Sequence, residues 1–116
     1  MVPGEWYKNL PFIIMRVSRK EPHLLDTITL KVAAVSNPST VAGAIANNVR
    51  DGKVIEIVAM GPQSVNNTIK AIAIARGFLK GDHLDTHCKP EFIHLKIDGE
   101  QKSAIKFLLF VEKTGS

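Results

Sequence analysis

Polar side chains cluster where a predicted helix follows a predicted strand. The strand-like run VIEIVAM spans residues 54–60, and after a Gly-Pro-Gln break the sequence SVNNTIKAIAIARGFL spans residues 64–79. The first turn of a helix leaves backbone N–H groups without a partner inside the helix, and such groups bind anions, phosphate above all. We therefore consider this junction the candidate site for an anionic ligand. Ordinary N-terminal capping is the alternative interpretation of Ser64, Asn66 and Asn67.

A second helix start of the same kind lies upstream. The run ITLKVAAV, residues 28–35, predicts a buried strand. After it, Asn37 can cap a helix and Pro38 suits the first helical position. Apolar residues at helical spacing continue this helix to about Arg50, and Gly52 predicts its end. Two successive strand–helix units imply parallel neighbouring strands, so both helix starts are expected at the same edge of the sheet.

The helix over residues 64–79 is apolar on two sides. At helical spacing, the side expected to pack on the sheet carries Val65, Thr68, Ile69, Ile72, Ala73 and Leu79. The opposite side carries Asn67, Ala71, Ile74 and Phe78. A domain of this size has too few elements to cover both sides. The second side therefore predicts a homodimer or higher homo-oligomer, with cover by the N-terminal segment as the alternative.

The C-terminal part predicts an antiparallel hairpin. Residues 86–97 alternate, with Ile93, Leu95 and Ile97 on one side, and a second alternating strand follows Asp98-Gly99. A two-residue turn would place the two apolar rows on opposite sides of the hairpin. We therefore predict a three-residue loop, residues 97–99, which pairs odd-numbered residues with odd-numbered residues.

Composition indicates one globular domain without a strongly basic surface. The chain has 116 residues, 45% of them hydrophobic, and its 15 basic and 11 acidic residues leave a net charge of +4. This surplus permits contact with phosphates but is smaller than in specialised nucleic-acid-binding proteins.

The single cysteine, Cys88, excludes an intramolecular disulfide and is interpreted as a structural residue. Residues 1–27 predict an N-terminal extension, in which Trp6, Tyr7 and Phe12 are anchors to the domain or base-stacking residues.

The sequence does not indicate an enzyme. It contains no GxxxxGK[ST] or GxSxG motif and no obvious pair of catalytic carboxylates. His83, His87 and Cys88 have only weak metal-ligand spacing, so we expect no metal and no cofactor. Asp82 and Asp85 are interpreted as solvated loop charges.

No apolar run approaches the length of a membrane span, and the N-terminus lacks the pattern of a signal peptide. We expect a cytoplasmic protein that makes no contact with a membrane. The nucleoid, the nucleus and import through a transit peptide are the alternatives.

Three segments carry a resemblance to a known family: SNPSTVAGAIA, the stretch from Gln63 to Phe78, and IDG followed by AIK. With the sequence between them, roughly residues 28–112, they resemble the stage V sporulation protein S family, which is similar to the Alba chromatin proteins. The resemblance implies an α+β, Alba-like two-layer sandwich of order βαβαββ, with a mixed four-stranded sheet and two helices on one face. Residues 28–116 would form this domain.

The resemblance also implies a homodimer that binds DNA or RNA. By position, the implied nucleic-acid contacts are Ser36, Asn37, Ser39 and Thr40 at the first helix start, Gly61, Gln63, Ser64, Asn66 and Asn67 at the second, and Lys102 and Lys106 on the hairpin. The chain departs from its relatives at Val35, Met60 and Pro62, where basic residues are usual. Each lost phosphate contact weakens binding and its salt dependence.

These observations support three functional hypotheses. The first is a nucleic-acid-binding protein that contacts phosphates with two helix N-termini and a basic hairpin, as a sporulation-type developmental regulator. The second is a regulatory scaffold that binds protein partners through the apolar second helix and does not bind nucleic acid. The third is a protein that binds a small anionic metabolite at Gly61.

Overall fold

A computed structural model describes residues 12–17 and 26–115, with side chains from residue 26 onward. Trp6 and Tyr7 lie outside the described residues. The elements are β1 (Phe12–Val17), β2 (Thr27–Val32), α1 (Pro38–Arg50), β3 (Val54–Ala59), α2 (Pro62–Leu79), a 3₁₀ helix (Lys80–Asp82), β4 (Leu84–Ile97) and β5 (Glu100–Lys113).

The sheet has the strand order β1-β2-β3-β5-β4. Strands β2 and β3 are parallel, whereas β5 pairs antiparallel with both β3 and β4. From β2 onward the chain therefore has the predicted α+β order βαβαββ, with a mixed four-stranded sheet and two helices on one face. Strand β1 adds a fifth strand, antiparallel to β2. The sequence pattern predicted no strand in this segment.

The hydrophobic core lies between the sheet and the two helices. Alternate residues of the three central strands face the helices because side chains on a strand alternate between the two faces of the sheet. These residues are Ile28, Leu30 and Val32 from β2, Ile55, Ile57 and Ala59 from β3, and Phe107 and Leu109 from β5. Helix α1 contributes Val41, Ala42, Ile45, Ala46 and Val49, the predicted apolar stripe.

Helix α1 begins and ends where its capping residues predict. The Asn37 side-chain oxygen accepts hydrogen bonds from the N–H groups of Ser39 (2.8 Å) and Thr40 (3.4 Å). Pro38 occupies the first turn, where its missing N–H costs nothing. At the other end Gly52 adopts a φ of 74°, and its N–H donates to the Val49 carbonyl at 3.0 Å. Both predicted signals are confirmed.

The predicted division of α2 into two faces is wrong. Asn67 and Ala71, which were expected on the outward side, are buried inside the chain, while Ile69 from the expected inner side is half exposed. Helix α2 packs against α1 as well as on the sheet. Its buried side carries small residues such as Ala71 and Ala75, which allow the two helices to approach closely. Its buried residues are Ser64, Asn67, Thr68, Ala71, Ile72, Ala75 and Leu79.

The predicted three-residue hairpin loop is also wrong. Ile97 pairs with Glu100, which leaves Asp98-Gly99 as a two-residue turn, and both turn residues have positive φ, 53° and 80°. These values are typical of a type I′ turn, whose backbone twist matches that of the flanking strands. The register consequently pairs Phe92 with Ile105 and Leu95 with Lys102. The apolar row of Ile93, Leu95 and Ile97 therefore lies on the sheet face without helices.

Candidate functional site

The two helix starts lie side by side at one edge of the sheet. Strands β2 and β3 are parallel, and their pairing runs from Thr27 opposite Val54 to Val32 opposite Ala59. The segments that follow the two strands therefore leave the sheet at the same edge. Residues 33–37 connect β2 to α1, and Met60-Gly61 connect β3 to α2. This arrangement confirms the predicted proximity of the two starts. We call the surface formed by residues 37–40 and 61–66 the junction edge.

Asn67 joins the two junctions internally. Its side-chain N–H donates to the carbonyls of Ala33 (3.3 Å) and Ala34 (3.0 Å), and its side-chain oxygen accepts from Gln63 Nε2 (3.2 Å). The residue is only 5% exposed. Asn67 thus ties the first turns of α2 to the loop before α1 and has no free surface for a phosphate or for a second subunit. Its predicted roles in nucleic-acid contact and in the oligomer interface are therefore corrected.

Two predicted contact residues are buried serines. The Ser36 hydroxyl accepts a hydrogen bond from the Ala33 N–H at 2.8 Å, which closes the loop after β2. Ser64 is buried on the α1 side of α2, and its carbonyl accepts from the Thr68 hydroxyl at 2.9 Å. The side chains of Ser36 and Ser64 are therefore structural, although the Ser64 backbone belongs to the first turn of α2.

The exposed part of the junction edge consists of Asn37, Ser39, Thr40, Gly61, Pro62, Gln63 and Asn66. The two helix starts differ in their free donors. At α1, the Asn37 side chain already occupies the N–H groups of Ser39 and Thr40. At α2, Gly61 is the N-cap residue with a φ of 89°, and no side chain among the described residues caps the helix. Because Pro62 has no N–H, the uncapped donors of this turn are those of Gln63 and Ser64.

The electrostatics of the junction edge favour an anion. Neither α1 nor α2 has an acidic residue in its first turn. Each helix directs the positive end of its dipole toward this edge, and that end attracts negative charge within about one turn. Gly61 leaves open space where a side chain would stand, so a ligand can approach the α2 backbone closely.

Lys102 and Lys106 are not placed with the helix starts. Both lie on the sheet face without helices, since Lys106 is opposite Val58 and Lys102 is opposite Leu95. Lys106 Nζ is 3.3 Å from Glu91 and 3.9 Å from Glu56, and Lys102 Nζ is 3.2 Å from Glu100. The carboxylates compensate the charges that were expected to meet phosphates.

A different set of hairpin residues lies beside the junction edge. Phe92 is 76% exposed and, with Gly61, Pro62, Val65, Ser103 and Ile105, lines an open cleft of about 290 Å³. His94 and Lys96 follow Phe92 at alternate positions of β4 and are exposed. None of the three was predicted as a site residue. The Asp-Gly turn was the available signal, because a two-residue turn places them on the helix side.

The charged residues near the end of α2 form ion pairs. Arg76 donates from Nε (2.7 Å) and an Nη (3.0 Å) to the two carboxylate oxygens of Asp85, which lies in β4. Arg50 donates to Asp82 (2.8 Å) and to the Phe78 carbonyl (3.0 Å), linking the end of α1 to the end of α2. Asp82 and Asp85 are therefore ion-pair partners. Asp82 is exposed in the short 3₁₀ helix, whereas Asp85 lies in β4 and not in the expected loop.

Among the described residues, His87 and Cys88 are neighbours in β4. His87 stacks on Phe110 with ring centres 5.4 Å apart, and its Nδ1 lies 4.0 Å from Glu112. Partial burial raises the pKa of the Cys88 thiol, which disfavours the reactive thiolate. Within residues 26–115, no group of three or more His, Cys, Asp and Glu side chains is placed to hold a metal ion.

Among the described residues, neither helix has the length and apolar composition of a membrane-spanning helix.

Comparison with known families identifies one that covers most of the described chain. The family described as Stage V sporulation protein S (SpoVS) matches residues 28–112, from the second residue of β2 to the second-last residue of β5, and leaves β1 outside the match. The order of elements and the matched range agree, and the chain belongs to the stage V sporulation protein S family.

Proposed function

We propose that this protein binds nucleic acid by its phosphates at the junction edge. Membership in the stage V sporulation protein S family suggests a sporulation-related regulator, and nucleic-acid binding would be its biochemical activity. The observation that carries the proposal is the uncapped first turn of α2, with Gly61 open to solvent and Gln63 and Asn66 exposed beside it. A phosphate oxygen would accept a hydrogen bond from the free N–H group of Gln63, the exposed donor of this turn.

The proposed binding depends on phosphate more than on base sequence. Backbone N–H groups and helix dipoles recognise the phosphate oxygens, which are the same for every nucleotide. With Lys102 and Lys106 engaged by carboxylates, we expect few released counterions and hence a shallow dependence of affinity on salt.

The substitution Asn66→Asp tests this proposal. A carboxylate at this exposed position would repel phosphate, whereas it interacts favourably with the helix dipole. We therefore expect weaker binding to labelled oligonucleotides at low salt, together with an unchanged or slightly higher melting temperature. Weaker binding without a lower melting temperature would show that the variant has lost a contact with the nucleic acid and has kept its fold.

Asn47→Asp is the matched control. It makes the same change of charge at the exposed C-terminal end of α1, beside Arg50 and away from the junction edge. Equal losses of affinity in the two variants, or no binding by the unmodified chain to single-stranded or double-stranded DNA or RNA, would contradict the proposal. Binding of free inorganic phosphate with no binding of oligonucleotides would instead favour the small-anion hypothesis.

The scaffold hypothesis has its own supporting observation. Phe78 on α2 is 46% exposed, and an apolar side chain of this size on a helix surface favours contact with another protein surface. A specific partner recovered by the unmodified chain in nuclease-treated extracts, and lost with Phe78→Glu, would support this second function. Recovery unaffected by Phe78→Glu would contradict it.

A further inference from the structure

We propose that Phe92 is a stacking surface for an unpaired base and that the protein consequently prefers single-stranded nucleic acid. This inference rests on the proposed function, since it names the class of nucleic acid that the junction edge would hold. The residues concerned are Phe92, His94 and Lys96 on the helix side of the hairpin, which we call the β4 row.

Phe92 is the most exposed large hydrophobic side chain of the described chain. Its partner across the hairpin is Ile105, which packs against the core, so the backbone beneath the ring is held by the sheet. A phenyl ring held in place but open to solvent offers a flat apolar face, on which any base can stack.

The cleft beside Phe92 connects the ring to the proposed phosphate site. Gly61 and Pro62, at the start of α2, line the same cleft as Phe92. A nucleotide whose phosphate meets the exposed N–H group of Gln63 would therefore have its base on the side where Phe92 lies. Both contacts together would hold one nucleotide, which neither would do alone.

The β4 row extends this contact along the hairpin. Phe92, His94 and Lys96 stand two residues apart, about 6.7 Å per step along a strand, and share one face. Their partners on β5 are Ile105, Ser103 and Gln101, so the two-strand surface carries no carboxylate on this face. A single strand running outward from the cleft would meet an aromatic ring, an imidazole and an ammonium group in turn.

The charges of the hairpin are sorted between its two faces. Glu91 and Glu100 lie on the other face, where they neutralise Lys106 and Lys102. Among the described residues Lys96 forms no ion pair, so its ammonium group is available to a phosphate. This complementarity favours a polyanion over an apolar peptide as the occupant of the β4 row.

Base stacking distinguishes single strands from duplexes. Inside a duplex each base is already stacked and paired, and exposing one costs a few kcal/mol. A base in a single strand reaches Phe92 without that cost. We therefore expect tighter binding of oligo(dT) and oligo(U) than of an oligo(dA)·oligo(dT) duplex of the same length.

The experiment is fluorescence anisotropy with these three labelled probes and the full chain carrying Phe92→Leu or Phe92→Trp. Leucine keeps the apolar volume but removes the aromatic face, so affinity for the single strands should fall at least about fivefold while duplex binding is unchanged. Tryptophan should retain the single-strand preference. Phe110→Leu is the control, because Phe110 is an exposed ring on the same hairpin that stacks on His87 on the opposite face.

The outcomes separate this inference from the proposed function. Binding to nucleic acid with a single-strand affinity that Phe92→Leu leaves unchanged would overturn the stacking inference and leave phosphate binding standing. Equal losses with Phe92→Leu and Phe110→Leu would also overturn it. Absence of binding to all three probes would instead refute the proposed function itself.

Discussion

At the scale of single residues, hydrogen-bonding groups serve either the fold or a ligand. Asn67 and Ser36 carry the side chains expected at an anion site, yet their polar atoms are engaged inside the chain by Ala33 and its neighbours. A buried polar atom without a hydrogen-bond partner lowers the stability of the fold by about 1–3 kcal/mol. Polar side chains such as those of Asn67 and Ser36 therefore bond to the backbone of the loop that crosses the end of the sheet. Asn66, one position before Asn67, points to solvent and is the better candidate for contact with a ligand.

The ion pair of Arg76 and Asp85 predicts how stability depends on pH. The Arg76 hydrogen bonds, with a further one from the Thr86 N–H, lower the pKa of Asp85 from 3.8 to about 2. A carboxyl whose pKa is lower in the folded chain stabilises it above its ordinary pKa, and this contribution is lost as the pH falls toward the folded value. We expect Asp85→Asn to lower the melting temperature at neutral pH, by an amount that shrinks from about pH 4 to pH 2.

Thermal unfolding of the unmodified chain and Asp85→Asn across this pH range measures the effect. In an Arg76→Gln background the substitution of Asp85 should have a smaller effect, since the Arg76 hydrogen bonds that lower the pKa of Asp85 are absent. A difference in melting temperature that is constant from pH 7 to pH 2 would contradict the assignment.

At the scale of elements, the β4–β5 hairpin decides which residues reach the junction edge. The apolar row of Ile93, Leu95 and Ile97 was expected on the same side of the hairpin as the apolar row of the second strand, and that expectation required a three-residue loop. The Asp98-Gly99 turn instead sets the register, because a two-residue turn with positive φ fits the twist of the strands. A shift of one residue moves every side chain to the other face, and it brings Phe92 to the helix side.

The turn itself is testable through Gly99. With a φ of 80°, alanine at this position adopts a backbone conformation that costs roughly 1–2 kcal/mol. We expect Gly99→Ala to lower the free energy of unfolding by about that amount in urea denaturation.

Gly81→Ala provides the matched control, because Gly81 lies in the 3₁₀ helix without a positive φ and with open space where the methyl group would be placed. This variant should be neutral or slightly stabilised. The same loss of stability at both glycines would argue against a turn that requires positive φ at residue 99.

At the scale of the whole molecule, the main prediction is that copies of this chain assemble into an oligomer. Of the four residues proposed for an oligomer interface, Ala71 and Asn67 are buried within the chain, Ile74 is half-buried and Phe78 is 46% exposed. The exposed apolar surface on the predicted interface side of α2 is thus smaller than expected and consists of Phe78 with half-buried Ile74, because Ile69, nine residues before Phe78, lies on the opposite side of the helix.

We expect a homodimer that uses this surface, with Phe78 at its centre. Phe78→Glu would place a charge in an apolar contact and should convert the dimer to a monomer in sedimentation velocity. Phe110→Glu makes the same change on the sheet face without helices and should leave the dimer intact. A monomeric unmodified chain at micromolar concentration, or equal effects of the two substitutions, would contradict this interface.

The sequence by itself determined the two helices and the order of strands β2 to β5, but not β1, because these elements carry local signals that the segment of β1 lacks. Asn37 and Pro38 begin α1, Gly52 ends it, and the apolar periods distinguish strands from helices. Only the tertiary structure decided which side of α2 meets α1 and which face of β4 carries Phe92. It also decided which polar side chains form hydrogen bonds inside the chain. The physical reason is that facing and register depend on neighbours distant in sequence, and moving a side chain from one environment to another requires only a small rotation or a one-residue shift.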